Sequence, residues 1–159
     1  MKANSFAADQ KKNEMKFGYK ICSFTILWVF AFKTSFSQDI QHKVVVKNLE
    51  NKQGVLYVGW YKDPDTFRKI DKAIYRERFE VNHQTEVTVS FTNIPERKYA
   101  IAVFLDENDN YKLDTNLLGI PTEKYGFSNN ILSALRPATF KESVFDLTHQ
   151  EMIIHIKLK

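Results

Sequence analysis

Cysteine occurs once in the 159 residues, at Cys22. A single thiol closes no internal disulfide and builds no cysteine-rich zinc site, so stability has to come from packing. Glycine and proline are scarce as well, at five and four, which excludes collagen-like repeats and Gly/Pro low-complexity sequence. The apolar run 21–32 has 12 residues, well short of the roughly 20 that cross a bilayer. An excess of one charge sign is also missing from most of the chain. The formal net charge is +4, but residues 1–37 hold six of the 23 Lys+Arg and two of the 19 Asp+Glu, leaving 17 of each. Residues 38–159 are therefore neutral, and the electrostatic case for a nucleic-acid partner disappears.

What stands at the N-terminus is a polar stretch with Lys11, Lys12, Lys16 and Lys20, then the apolar run, then Lys33-Thr34-Ser35-Phe36-Ser37-Gln38. This order reads as a secretory signal peptide over 1–37, cut after Ser37, with a single-span anchor as the alternative. Met15 stands just before the basic and apolar pattern and is a second candidate start. Cys22 lies early in the apolar run, the wrong end for a lipoprotein, and leaves with the leader. The expected product has no membrane span and is exported, to the periplasm, the cell surface or the medium.

Residues 38–159 suffice for one domain that buries roughly two thirds of its unfolded surface. Segments 43–48, 55–61, 86–91, 99–105, 139–147 and 152–158 alternate with the period of two of half-buried strands. Val87, Val89 and Phe91, like Ile101, Val103 and Leu105, put an apolar residue at every second place. The pattern predicts an all-β fold, an antiparallel sandwich of about seven strands, transthyretin-like or immunoglobulin-like. Asn51-Lys52-Gln53-Gly54 reads as a hairpin turn, and 93–97 joins two further strands. Over 65–79, Phe67, Ile70, Ala73 and Ile74 fall at helical spacing behind Pro64, which predicts one short helix with a solvated charged face. A long loop spans 106–138, and a loop of that length in a small domain is usually functional or held by more than its own backbone.

That loop opens with Asp106-Glu107-Asn108-Asp109-Asn110-Tyr111-Lys112-Leu113-Asp114. Hard cations need six to eight oxygens, and alternate residues of a curled loop point inward. Asp106, Asn108, Asn110, the Lys112 carbonyl and Asp114 thus form a candidate Ca²⁺ set, with Glu107 and Asp109 facing outward. Mg²⁺ fits less well, because it demands stricter geometry. Leu117 occupies the place of the usual bidentate Glu, so Glu123 has to fold back or water has to complete the shell. The expected affinity is weak, on the order of 10⁻⁴ to 10⁻³ M. The competing reading is a polar turn whose Asp and Asn side chains bond their own backbone.

Segments Tyr99-Ala100-Ile101-Ala102-Val103-Phe104, Asp106-Glu107-Asn108-Asp109-Asn110, Lys112-Leu113-Asp114 and Gly119-Ile120-Pro121-Thr122-Glu123-Lys124-Tyr125-Gly126-Phe127-Ser128-Asn129-Asn130 together resemble a bacterial exported family catalogued only as domain of unknown function 2141. The likeness runs from about Val44 to Leu158 and includes a Pro137-to-Phe140 element. It implies a small secreted β-sandwich without an established activity. Members of that family commonly carry Gly where this chain has Tyr111, and many have Gly where Glu96 or Arg97 stands.

Beside the acidic loop, Glu123, Tyr125, Phe127, Ser128, Asn129 and Asn130 are candidate ligand contacts, since aromatic faces with amides suit a glycan or a peptide. The alternative tucks both rings into the sandwich. Gly126-Phe127-Ser128 lacks the second Gly of a nucleophile elbow. His42, His83, His149 and His155 are scattered, which speaks against zinc. The acidic-loop carboxylates are close in sequence and water-exposed, an arrangement for an ion more than for a glycosidase pair. The sequence therefore points to a non-catalytic exported module whose calcium-ordered loop presents 119–130 to an envelope glycan or protein. A purely structural envelope protein and a hydrolase stand behind it.

Overall fold

The computed structural model describes residues 39–131 and 136–159, and the expected leader, 1–37, lies outside them. The alternating segments form β1 (Gln41–Lys47), β2 (Gln53–Tyr61), β3 (Tyr75–Asn82), β4 (Glu86–Thr92), β5 (Arg97–Asp106), β6 (Tyr125–Phe127), β7 (Val144–Leu147) and β8 (Ile153–Lys157), with a four-residue helix, α1 (Phe140–Ser143), before β7. One sheet has the order β4-β1-β8. The other has β3-β2-β5-β6, and β7 shares the β6 edge of β5, pairing with Arg97–Ala100 while β6 pairs with Ala102–Phe104. No helix among the described residues is long and apolar enough to cross a membrane.

The sheets pack face to face around one shared core. Val44 and Val46 of β1, Leu56, Val58 and Trp60 of β2, Val87, Val89 and Phe91 of β4, Ile101, Val103 and Leu105 of β5, and Ile154 and Ile156 of β8 are all buried in it. Burying each such side chain contributes about 1.5–3 kcal/mol. Trp60 sits at the centre, its ring 5.3 Å from Phe91, 5.5 Å from Tyr99 and 5.7 Å from Phe145. The Tyr99 hydroxyl donates to the Pro95 carbonyl four residues upstream at 2.9 Å, a tyrosine corner of the kind found in immunoglobulin-like sandwiches.

Several local expectations are corrected. The sheet pairing is mixed, because β1 and β8 run parallel; being near the two ends of the domain, they have the whole of it as their crossover. Residues 51–54 make no hairpin, since β1 and β2 lie in different sheets. The chain switches sheets again after β3 and after β4, and left-handed residues stand at these crossings: Asn48 and Asn51, His83, and Asn93. With glycine so scarce, asparagine supplies most of these positive-φ positions. Gly54 serves a different need. A Cβ there would lie 2.3 Å from the Asp106 carbonyl oxygen, so only glycine lets β2 approach the end of β5 this closely.

The expected helix over 65–79 is replaced by a turn, a 3₁₀ segment (Ile70–Lys72) and β3. Arg68 takes a positive φ of 70°, which no α-helix admits, and 75–82 satisfies its backbone by pairing with β2. The expected strand 139–147 begins instead as α1, because Thr139 and Glu142 form a capping box. Glu142 has its pKa held far below the usual carboxylate range, first by the Arg136 guanidinium and then by Thr139.

His42 of β1 is buried, and its Nδ1 has no partner among the described residues. Burial lowers its pKa from 6.5, against the opposing pull of Glu151. The folded state therefore resists protonation while the unfolded state accepts it, so stability is complete above pH 6.5 and falls as pH drops from there toward the lowered folded value. The carboxylates with depressed pKa, Glu142 and Glu151, lose their contribution only below about 4.5. Thermal melting between pH 7.5 and 5 should show a falling midpoint, and His42→Leu should flatten that fall.

Candidate functional site

β5 ends at Asp106, whose carboxylate is fully buried and accepts three backbone N–H groups. Oδ1 takes those of Asn108 at 3.3 Å and Asn110 at 3.2 Å, and Oδ2 takes that of Tyr111 at 2.7 Å. Asn108 and Asn110 each donate through Nδ2 to Asp114, at 2.6 and 2.9 Å, and the Lys112 N–H donates to Asn110 Oδ1 at 2.9 Å. The structure thus brings Asp106, Asn108, Asn110, Lys112 and Asp114 into one hydrogen-bonded loop. Glu107 and Asp109 are exposed, and Glu107 pairs with Lys52 at 2.7 Å. Glu123 does fold back. One of its oxygens accepts the Glu107 N–H and the other the Asp114 N–H, both at 2.8 Å, so it clamps the two ends of the loop. Among the described residues no group of three or more His, Cys, Asp or Glu gathers as a metal site would. A cation here would depend on amide and carbonyl oxygens.

The segment expected to present a surface, 119–130, turns partly inward, and Gly119, Pro121, Tyr125 and Phe127 border a cavity. Tyr125 and Phe127 are buried in a second apolar cluster, and Ser128 is fully buried, accepting the Ile101 N–H at 2.9 Å and donating to the Ser143 carbonyl. The Asn129 amide donates to the carbonyls of Glu142 and Val144 at 3.1 and 3.0 Å. Asn130 donates to the His155 carbonyl at 2.8 Å and accepts the Lys157 N–H at 2.7 Å. The rings and amides serve the fold because β6 needs a buried face and the edge of β8 needs partners.

This cavity is part of a groove on the outer face of the larger sheet. Antiparallel register aligns Tyr57 with Phe104 and Phe104 with Tyr125, and aligns Gly59 with Ala102 and Ala102 with Phe127. Small residues in one row and rings in the next leave a floor with depth. Phe67 packs over one end, with ring centroids 5.4 Å from Tyr61 and 5.7 Å from Phe127. Two adjoining cavities, of about 510 and 460 Å³, share Ile70, Asp71 and Tyr111 as common walls. Tyr57 stacks on Phe104 at 5.1 Å and meets Tyr111 at 6.2 Å. Its hydroxyl is buried and has no partner among the described residues. Burial raises the pKa of Tyr57, and does so more strongly for Tyr61. A sequence signal for this groove exists: both β2 and β5 are apolar on both faces, more than a sheet with one solvated face requires.

The family model described as uncharacterized protein conserved in bacteria (DUF2141) matches residues 44–155. This chain belongs to the DUF2141 family. Neither the curated proteins nor the solved structures contain a match to it. Tyr111 holds a left-handed φ of 65°. Glycine adopts that conformation freely and tyrosine does so at a cost of about 1–2 kcal/mol. This DUF2141 chain accepts that strain and gains an exposed ring over the groove.

The Glu123 clamp gives a direct test. Hydrogen bonds to a charged group contribute about 1.5–3 kcal/mol each. Urea unfolding should show Glu123→Ala destabilised by about 2 kcal/mol or more, with Glu123→Gln, which keeps one acceptor oxygen, intermediate.

Proposed function

We propose that this DUF2141 protein is a non-catalytic binding module of the bacterial envelope that holds a glycan in the outer-face groove. The observation that carries this reading is Tyr111, an aromatic ring held in strained left-handed backbone above the buried, unpartnered hydroxyl of Tyr57. Strain of this kind persists where the surroundings enforce it, and it concentrates at ligand sites. A ring offers its negative face to the C–H groups of a sugar, and a tyrosine hydroxyl meets sugar hydroxyls. Among the described residues neither cavity is lined by a histidine, so no imidazole stands there to activate a nucleophile. Export rests on the leader-like pattern of 1–37.

Calcium enters this proposal as the lock of the rim loop. Asn108 and Asn110 already converge on Asp114, and a half-turn of the Asn108 amide would present oxygen where nitrogen now stands. With Asn110 Oδ1 left on the Lys112 N–H, where it keeps a second lone pair, only the Asn108 amide needs to turn, and Asp106, Asp114 and the Lys112 carbonyl complete a donor set suited to a hard, weakly held cation.

Two measurements test these statements. Tyr111→Gly should melt within about 1 kcal/mol of wild type, because relief of strain offsets the lost ring contact. Yet it should lose glycan-array signal; a variant that binds like wild type would remove Tyr111 from the site. Millimolar CaCl₂ should raise the melting midpoint of wild type by a few degrees, as expected for a ligand present well above its Kd, and should leave Asp114→Ala unmoved. No shift in wild type would end the calcium proposal.

A further inference from the structure

We infer that the groove selects acidic carbohydrate, a chain whose rings carry carboxylate or sulfate groups; this rests on the glycan reading above and narrows it. Of the charged residues lining the two cavities, Arg68, Lys69, Arg76, Arg78 and Lys112 are basic, and only Asp71 and Glu77 are acidic. Such an excess is local, because residues 38–159 hold 17 basic and 17 acidic side chains. Asp71 is already paired, 3.4 Å from Lys72. Arg68, Arg76, Arg78 and Lys112 make no ion pair among the described residues.

Their placement follows from the backbone. Arg78 is in register with Tyr57 and Arg76 with Gly59, so both guanidinium stems rise from the groove face of β3, and Glu77, in register with Val58 between them, borders the same cavity. Arg68 borders the cavity and, like Tyr111, holds a left-handed backbone, with φ of 70°. Arginine offers a planar fork that matches a carboxylate or sulfate in two parallel hydrogen bonds. The site therefore has rings to receive the apolar faces of sugars, a buried hydroxyl to meet a polar edge, and free guanidinium groups spaced around them for negative charge. A neutral glycan would leave those cations without partners, and an acidic peptide would leave the ring and hydroxyl arrangement unused.

The protein is applied to an array of neutral, uronic-acid-bearing and sulfated oligosaccharides together with a polyglutamate peptide, and the strongest binder is followed by calorimetry at 50 and 300 mM NaCl. The expected result is a preference of tenfold or more for acidic over matched neutral sugars, roughly what one charge-assisted contact supplies, weakened by salt. Arg78→Gln and Arg68→Gln should each lower acidic-sugar affinity about tenfold without affecting the melting midpoint. Tyr57→Phe should weaken acidic and neutral sugars alike. Equal binding of neutral and acidic glycans, abolished by Tyr111→Gly, would overturn the charge selectivity and leave the glycan reading intact. Binding of polyglutamate alone, or of nothing on the array, would overturn both.

Discussion

The Asp106 carboxylate is the contact on which the site depends. It lies at the end of β5, the strand that pairs with β2, β6 and β7, and it captures three amides, those of Asn108, Asn110 and Tyr111, in the loop that follows. A carboxylate accepting several N–H groups is a strong local organiser, since each bond is charge-assisted and none competes with water in a fully buried position. The Tyr111 N–H is one of the three. Its capture fixes the backbone that turns left-handed at Tyr111 and so sets where the ring stands. Glu123 works from the other side by joining the loop ends at Glu107 and Asp114. Gly54 permits the arrangement, because a side chain there would strike the carbonyl of the same Asp106.

Beneath the loop, the larger sheet behaves as the middle layer of three. Its inner face meets the smaller sheet, and part of its outer face is covered by Phe67, Ala138 and Phe140 from the long connections. That cover is incomplete beside Tyr57, Ala102 and Phe104, where the groove opens. Gly59 helps to shape it. A Cβ at this position would approach the Tyr61 hydroxyl to 2.7 Å and Ile70 to 3.0 Å, so its absence lets both side chains lie against the sheet. The second apolar cluster and the groove are thus one feature, an apolar sheet face that the connections only partly cover.

Much of this was legible in the sequence. Five of the strands announced themselves by alternation, and Asp106, Asn108, Asn110 and Asp114, singled out by their spacing, are joined by hydrogen bonds within one loop. The failures have physical causes. β3 was hidden because Tyr75-Arg76-Glu77-Arg78-Phe79-Glu80 is an edge strand, exposed along most of its length, so burial imposes little alternation on it. Phe67, Ile70 and Ala73 have helical spacing by coincidence of a turn that drops Phe67 into the outer cluster. The aromatic and amide residues of 125–130 look like a recognition surface in one dimension. In three dimensions they meet the needs of β6 and of the backbone around it, needs that composition alone does not disclose.

Two of the sheet edges, β8 and β3, show how that distribution of duties arises. β8 has only β1 as a strand partner, and the Asn130 side chain imitates a further strand by bonding His155 and Lys157, closing an edge that would otherwise invite another chain. β3 is protected differently, by alternating charge along its length. Because the side-chain period of a strand is two, the sequence Arg-Glu-Arg puts its two arginines on one face. Edge protection of this form leaves the two arginines in register with Tyr57 and Gly59, outnumbering the one acid, Glu77, that borders the cavity with them. A device that keeps the sheet from aggregating therefore also creates the basic wall of the groove, and it does so without disturbing the charge neutrality of residues 38–159.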